Sequence, residues 1–550
     1  MRRRLIDILL ILAILALPFL GALQACDGGS SGSPSTPPPT NRAPVAVLSH
    51  TGPDEGPTPL IVKLDASGSY DPDGDKITFL WLFSDGTTAD GAQVEHEFTT
   101  GGRHSVRLTV TDKWGVADDE GPIDLLSYGL ANSAWPKYAH DERNSGVSQN
   151  TGPMMDLANA EAGGAFPRYW RGGSEGDIIR AICVGYDGVV IYTQGTWLRA
   201  RTASGDVLWD LQAESVITAW PAIAYDGSII VGTKAGWVHK VSPDGIPLWS
   251  VDLRNSISPY VRLLTAINID HNANIYLCGM HPYEGNAGYS PYECALVKLS
   301  FDGELLWQRQ LPKLSSSVYM LGAAPAILPN GNIVVNGIQG AIFTPEGDLV
   351  AEIIYPPAES GTKSRAPLGP PSVGPDGSIV FSHLRAPLFT DNGAYVLNLL
   401  GPEINLWESV SYGAGYVQAP VWSPDGVTLL ERKNGNDNQG ARGFYLLTRS
   451  SYGGLARTRL ITFPTSDNPM PYYNNCVAGA AEDRLGRIYT SCLGLRAYSP
   501  VSAASIYPFV SNRYSMWSYT RPSSSMTPPV IGDDNWLYVG YGNDILAIGD

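Results

Sequence analysis

One phrase recurs eight times after residue 180 and limits the fold more than any other feature of the chain. It consists of a small residue or proline, an aliphatic pair, a polar turn rich in Asp, Asn and Gly, and then alternating Ile and Val. It first reads Ala181-Ile-Cys-Val-Gly-Tyr-Asp187-Gly188-Val-Val-Ile-Tyr192, then Pro221-Ala-Ile-Ala-Tyr-Asp226-Gly227-Ser-Ile-Ile-Val-Gly232. It returns around Asn272, Asn330, Asp376, Asp425, Arg484 and Asp534, at intervals of roughly 39 to 59 residues. Two-residue alternation on both sides of a Gly turn is a strand–turn–strand signal. A unit of this size cannot bury both of its faces alone, so copies must stack.

Several copies end in a second turn and a Trp: Gly205-Asp-Val-Leu-Trp209, Asp244-Gly-Ile-Pro-Leu-Trp249 and Asp302-Gly-Glu-Leu-Leu-Trp307, with Trp407 as the candidate for a fourth. This gives four strands per repeat, with Trp as a packing anchor between neighbouring sheets. The predicted fold is all-β: a small β-sandwich followed by a β-propeller of eight blades, or seven if one degenerate repeat is miscounted. The last repeat ends at Asp550 after its third strand. Closing the ring therefore needs a strand from the N-terminal side, expected near Phe166 to Arg171, which removes the last open edge. With 60 Gly and 42 Pro in 550 residues and only 16% charged residues, the composition suits short strands and many turns.

The first 25 residues read as a signal peptide. Arg2, Arg3 and Arg4 precede an apolar run from Ile8 to Leu20, ending in Leu23-Gln24-Ala25-Cys26; the run is short for a membrane span. The Leu-x-Ala-Cys ending resembles the bacterial lipobox, which implies diacylation of Cys26 and attachment to a membrane through the N-terminal lipid. Asp27 resembles an inner-membrane retention signal. Residues 26–42, rich in Gly, Ser and Pro, form a tether. Cleavage before Cys26 removes three Arg and Asp7, so the remainder is more acidic than the formal net charge of −16. Such a surface repels phosphate backbones, which argues against nucleic acid.

Residues 43–126 alternate in short β-runs separated by Gly, Asp and Pro turns. Asp65-Ala-Ser-Gly-Ser-Tyr-Asp71-Pro-Asp73-Gly-Asp75, Trp81-Leu-Phe-Ser-Asp85-Gly86, His96-Glu-Phe98 and Val106-Arg-Leu-Thr-Val-Thr-Asp112-Lys-Trp-Gly115 resemble the polycystic-kidney-disease (PKD) repeat family. The resemblance implies an extracellular spacer or adhesion module. Asp71, Asp73 and Asp75 put three carboxylates at alternate positions in a turn, a hard-oxygen set suited to calcium.

Residues 127–550 are assigned to the propeller. Trp135-Pro-Lys-Tyr-Ala-His140-Asp141-Glu-Arg-Asn144-Ser-Gly146 resembles the lead-in to propellers related to pyrroloquinoline-quinone (PQQ) enzymes. Many of those enzymes set adjacent cysteines against the quinone and hold calcium with Glu, Asn and Asp. No Cys-Cys pair exists here, and no motif carries the calcium ligands. No cofactor is expected beyond calcium in the PKD-like module. The one Gly-x-Ser-x-Gly match, Gly28 to Gly32, falls in the tether, where no strand-to-helix elbow can form.

Cys476 and Cys492 lie at equal offsets from the turn at Arg484, the arrangement of a cross-strand disulfide worth roughly 3 kcal/mol. Cys278 and Cys294 bracket one excursion and are expected to staple its base; Cys183 reads as a core thiol. Three repeats carry long excursions between their second and third strands: Met280 to Glu293, Ser382 to Gly393 and Glu431 to Gly443. The binding candidates are His281, Tyr283, Tyr289, Tyr292, Arg385 and Arg442, because Tyr and Arg on loops of a rigid scaffold favour recognition.

The leading expectation is a non-catalytic, lipid-anchored cell-envelope protein that binds a protein or glycan. A lipobox followed by such a propeller is similar to lipoproteins that help assemble bacterial outer-membrane proteins, from which the PKD-like module sets this chain apart. The alternatives are a quinoprotein-type or glycan-active enzyme using the channel, and a surface adhesin with a PKD-like stalk.

Overall fold

The computed structural model describes residues 41–153, 168–173, 177–254, 263–281, 293–311, 324–335, 340–353, 370–374, 377–383, 392–398, 405–412, 421–423, 426–431, 442–449, 455–463, 480–490, 495–498, 515–519, 527–533 and 535–549. The N-terminal module is a sandwich of two sheets. One joins Ser49–Thr51, Leu60–Asp65 and Gln93–Phe98; the other joins Glu55–Gly56, Ala117–Ser127, Gly102–Thr111, Thr78–Phe83 and Thr88–Asp90. The alternation of Leu60, Val62 and Leu64 with exposed residues points one face inward. Those residues pack with Trp81, Phe98, Val106 and Leu108. Trp81 is fully buried, and its Nε1 donates to the Gly91 carbonyl at 2.8 Å.

Eight further sheets follow among the described residues. Blade 1 is Ile179–Val184, Val190–Gln194, Trp197–Arg201 and Val207–Gln212, each strand antiparallel to the next. Blades 2, 4, 5, 6 and 7 repeat this order. Blade 3 begins with two short strands, Leu263–Leu264 and Asn268–Ile269, both paired to Ile275–His281. The ring closes as the missing strand required: Arg168–Gly173 pairs with Asp544–Gly549 as the fourth strand of blade 8. Blades 8 and 1 share one core, in which Ile182, Val184 and Tyr192 meet Val530, Leu537 and Tyr538.

In blades 1 to 4 burial grades outward. The short strands Ala222–Ile223, Asn268–Ile269 and Ala326–Ile327, which begin blades 2, 3 and 4, are buried at every position. The fourth strands expose half or more of theirs. First strands therefore line the axis and fourth strands form the rim, as in a ring of sheets around a channel.

The tryptophans pack as the sequence predicts. Trp209, Trp249 and Trp307 donate Nε1–H to the carbonyls of Pro243, Phe301 and Pro345 in the next blade, at 2.8, 3.1 and 2.9 Å. Glycine is required where each indole lands. At Gly245, with φ +82°, an added Cβ would lie 2.6 Å from the Trp209 ring, which no other residue tolerates. Trp407 differs. Val396 faces Glu408 and Leu397 faces Leu406, so Trp407 is the extra residue of a bulge and falls one position short of the anchor site.

Candidate functional site

The residues between the sandwich and blade 1 cross the axis. Trp135 exchanges backbone hydrogen bonds with Val184 of blade 1, and Ile223 of blade 2 donates to Pro136 O at 2.8 Å. The Glu142 carbonyl accepts from Asn268 Nδ2 of blade 3 at 2.6 Å and from Ile327 N of blade 4 at 2.9 Å. Val373 of blade 5 donates to Arg143 O, and Glu482 of blade 7 to Gly146 O. Asn150 Nδ2 donates to Asp533 Oδ1 of blade 8 at 2.9 Å. The segment thus satisfies the inner-strand backbone groups that a channel mouth would otherwise leave to water.

Two buried polar centres hold it. Lys137 is fully buried, and Nζ donates to Tyr138 O and Asp141 O at 2.7 Å and to Asn144 Oδ1 at 2.5 Å. Burial pushes its amine down to about 7, opposed chiefly by the charge of Asp141. Asn144 adopts φ +55° and sends Nδ2–H to Pro371 O at 2.9 Å. At the far end Asp483 accepts from Arg487 Nε at 2.6 Å and Gly152 N at 3.1 Å, and the Arg487 guanidinium returns a bond to Gly152 O at 2.7 Å.

His140 sits at φ +74° with its ring edge-on to Trp135, 5.1 Å between centroids. Its Nδ1 is buried without a hydrogen-bond partner. Burial lowers the imidazole from 6.5 to about 4. Between those values the unfolded chain takes up a proton that the folded chain refuses. The stability that His140 contributes is therefore present above about pH 6.5 and is lost as the pH falls towards 4, by up to about 3 kcal/mol. Burial pushes the Glu142 carboxyl up, which acts in the opposite sense, so a variant isolates the histidine. Urea unfolding from pH 7 to pH 4 should show His140→Phe gaining stability relative to the wild type as the pH falls; parallel curves would refute the assignment.

The sandwich is seated on blades 1 to 3. Tyr225 Oη donates to Glu55 Oε1 at 3.1 Å, and Thr58 N donates to His271 O at 3.1 Å. The Arg103 guanidinium lies 4.2 Å above the Tyr186 ring. Leu126, Tyr128 and Leu130 run from the last sandwich strand straight into the core shared by blades 2 and 3.

Two of the three carboxylates of the calcium candidate are paired with cations, and Asp71 Oδ2 is buried without a hydrogen-bond partner. Asp71 Oδ1 accepts the N–H groups of Asp73 and Asp75 at 2.8 and 3.1 Å. Asp73 pairs with Arg42 at 2.8 Å and Asp75 with Lys113 at 2.6 Å. Two of the three acids thus face cations of the chain's own. Among the described residues no group of three His, Cys, Asp or Glu is placed to hold a metal.

The excursions leave blades 3, 5 and 6 between second and third strands, joining Ile275–His281 to Glu293–Leu299, Ile379–His383 to Asn392–Asn398, and Gly426–Glu431 to Arg442–Arg449. His281 ends its strand opposite Glu293, and Arg442 begins its strand opposite Phe463. Tyr283, Tyr289, Tyr292, Arg385, Cys26, Cys476 and Cys492 lie outside the described residues. Cys278 faces Leu296 while Cys294 faces Met280, so the two cysteines are diagonal in the ladder. Cys183 is a buried core thiol, with Sγ 3.3 Å from Pro221 O and its pKa pushed up to about 12 by burial. Among the described residues no helix is long and apolar enough to cross a membrane.

The PKD domain model matches residues 41–125. A microbial collagenase of Vibrio alginolyticus is 29% identical over 123 residues, which cover 22% of this chain and 15% of the collagenase. Among solved structures, BamB from Moraxella catarrhalis aligns over 70% of this chain and 100% of its own, with TM-score 0.47 and 12% identity. The C-terminal WD40 domain of Sif2 aligns over 70% and 99%, with TM-score 0.47 and 11% identity. Residues 41–125 are a PKD domain, joined in this chain to a β-propeller of four-stranded blades.

Proposed function

We propose that this chain is a non-catalytic, lipid-anchored cell-envelope protein whose propeller is a scaffold for a protein or glycan partner. The observation that carries the reading is the segment from Trp135 to Gly152, which fills one end of the axis with bonds to the inner strands. An enzyme working from that end would need an open mouth with polar groups turned towards a substrate. Here Lys137, Asn144 and Asp483 turn theirs towards the chain itself. Recognition is left to the periphery, where blades 3, 5 and 6 carry their excursions on a rigid frame. The seating of the PKD domain on blades 1 to 3 favours a composite scaffold over a free stalk.

The test is a pulldown from detergent-solubilised envelope with the full chain and with residues 282–292 replaced by a two-residue turn. That replacement leaves the His281–Glu293 pair in place. The variant should keep its melting temperature and lose at least one partner, whether captured as protein or on a glycan array. An unchanged set of partners would remove the excursion of blade 3 as the recognition element.

A further inference from the structure

Blades 1 to 4 share a feature that ring closure and core packing leave unexplained. In each, the fourth strand carries a bulge immediately after the preceding turn. In blade 1 Ala200 faces Trp209 and Arg201 faces Val207, so Leu208 is extra. By the same reckoning Leu248, Leu306 and Val350 are the extra residues of blades 2, 3 and 4. These four side chains are 47, 52, 46 and 52% exposed. Their neighbours Val207, Ile246, Leu305 and Leu349 are exposed as well. The backbone bulge recurs in blades 5 and 7 at Trp407 and Met516. A bulge on an outer strand ordinarily blunts an edge, and a charged or polar residue would serve that purpose best. Here an apolar residue takes the position every time.

The pairs recur on blades that abut at their outer strands. Trp209 packs on Gly245, Trp249 on Gly303 and Trp307 on Gly347, so the turn that begins each outer strand abuts the outer strand of the blade before it. Those turns carry only negative charge. Asp206, Asp244, Asp302, Glu304, Glu346 and Asp348 are all exposed, and none has a salt bridge among the described residues. Of the cations in these blades, Lys240, Lys298 and Arg309 lie against the turns themselves but are less exposed than the acids, and Arg199 and Arg201 lie away from them. Arg199 and Arg201 hold Asp210, Lys240 lies 3.1 Å from the centre of the Phe301 ring, and Lys298 and Arg309 donate to Pro345 O and Gly347 O.

We infer that the outer edge of blades 1 to 4 is a docking surface for a partner protein presenting an amphipathic segment with apolar and basic side chains. Exposed apolar surface rimmed by charge marks interaction sites, and a rim whose exposed charges are acidic selects a basic partner while repelling a second copy of this acidic chain and anionic lipid. The inference rests on the scaffold reading but uses a different surface from the excursions, so the two fail separately.

The probe is a fluorescent twelve-residue peptide of alternating Leu and Lys, titrated against the full chain and followed by anisotropy. Peptides of Leu and Glu and of Ser and Lys serve as controls, with phosphatidylcholine vesicles and sedimentation alongside. The Leu/Lys peptide should bind saturably. Joint replacement Leu208→Ser, Leu248→Ser and Leu306→Ser should weaken it by roughly tenfold or more with the melting temperature unchanged. Asp244→Asn, Asp302→Asn and Glu346→Gln together, which leave the apolar residues intact, should weaken it and flatten its salt dependence. Four results would overturn the proposal: equal binding by the leucine variant, equal binding of the Ser/Lys or Leu/Glu peptide, vesicle binding abolished by the same replacements, or self-association abolished by them. Loss of an envelope partner on removing residues 282–292, with the peptide still bound, would leave the docking surface standing.

Discussion

Replacing Asp483 by Ala should destabilise the protein by about 3–5 kcal/mol, the cost of leaving a buried guanidinium without its counter-charge. Asp483 and Arg487 are 1% and 3% exposed, and their side chains meet at 2.6 Å. The same carboxylate accepts from the backbone of Leu485 and Arg487, both at 2.9 Å, and from the hydroxyl of Tyr489. It also holds Gly152 of the crossing segment, so the damage should reach the axis as well as blade 7. Removing both partners, as Asp483→Leu with Arg487→Met, strands no charge but still leaves the amides of Gly152, Leu485 and Arg487 without their acceptor, so the double variant should recover only part of the loss. Urea unfolding of the two single variants and the double variant measures the coupling. A loss below about 1 kcal/mol for Asp483→Ala would show that the pair is not structurally important.

The second large effect is expected at Lys137. Methionine preserves much of the aliphatic stem but removes the three N–H donors, taking from Tyr138 O and Asn144 Oδ1 the bond that Nζ gives them inside the protein, while Asp141 O keeps the Asn144 amide at 3.0 Å. A buried acceptor without a partner costs about 1–3 kcal/mol, so Lys137→Met should lose at least about 2 kcal/mol. Hydrogen exchange gives a local signature that a general loss of packing would not. The amides of Ile327 and Val373, which donate to Glu142 O and Arg143 O, should lose protection before those in the second strands of the same blades. Uniform loss across the ring would instead assign Lys137 to the common core.

The all-β class, the PKD sandwich, the indole anchors and the ring-closing strand were legible because each follows from local pattern. Alternation, Gly turns and Trp spacing act over a few residues, and the missing strand of the last repeat is a matter of chain order. What escaped was long-range. Asn144 lies in a segment with no apolar period, and nothing local says that its partners come from blades 4 and 5. Asp483 and Arg487 read as turn residues, although the carboxylate and guanidinium meet in the interior. The cations facing Asp73 and Asp75 come from 31 positions before Asp73 and 38 after Asp75, beyond the reach of a motif. The outer apolar residues stand in the sequence as Val-Leu-Trp, Pro-Leu-Trp and Leu-Leu-Trp, where two-residue alternation alone does not say which of them faces solvent. Only the bulge register shows that the residue before the tryptophan faces solvent.

The crossing segment has one more consequence. Its contacts run nearly in step with the ring: Trp135 and Pro136 with blades 1 and 2, Glu142 with blades 3 and 4, Arg143 with blade 5, Gly146 with blade 7, Asn150 with blade 8. It is synthesised before any of them. Each blade that emerges finds its position already marked on a strip of chain, so the segment acts as a ruler against which the ring is counted out. Tandem repeats drift in number by duplication and loss, since every neighbour looks alike. A blade gained or dropped here would set every later mark against the wrong strand, which ties the size of the ring to the length of one short peptide outside it.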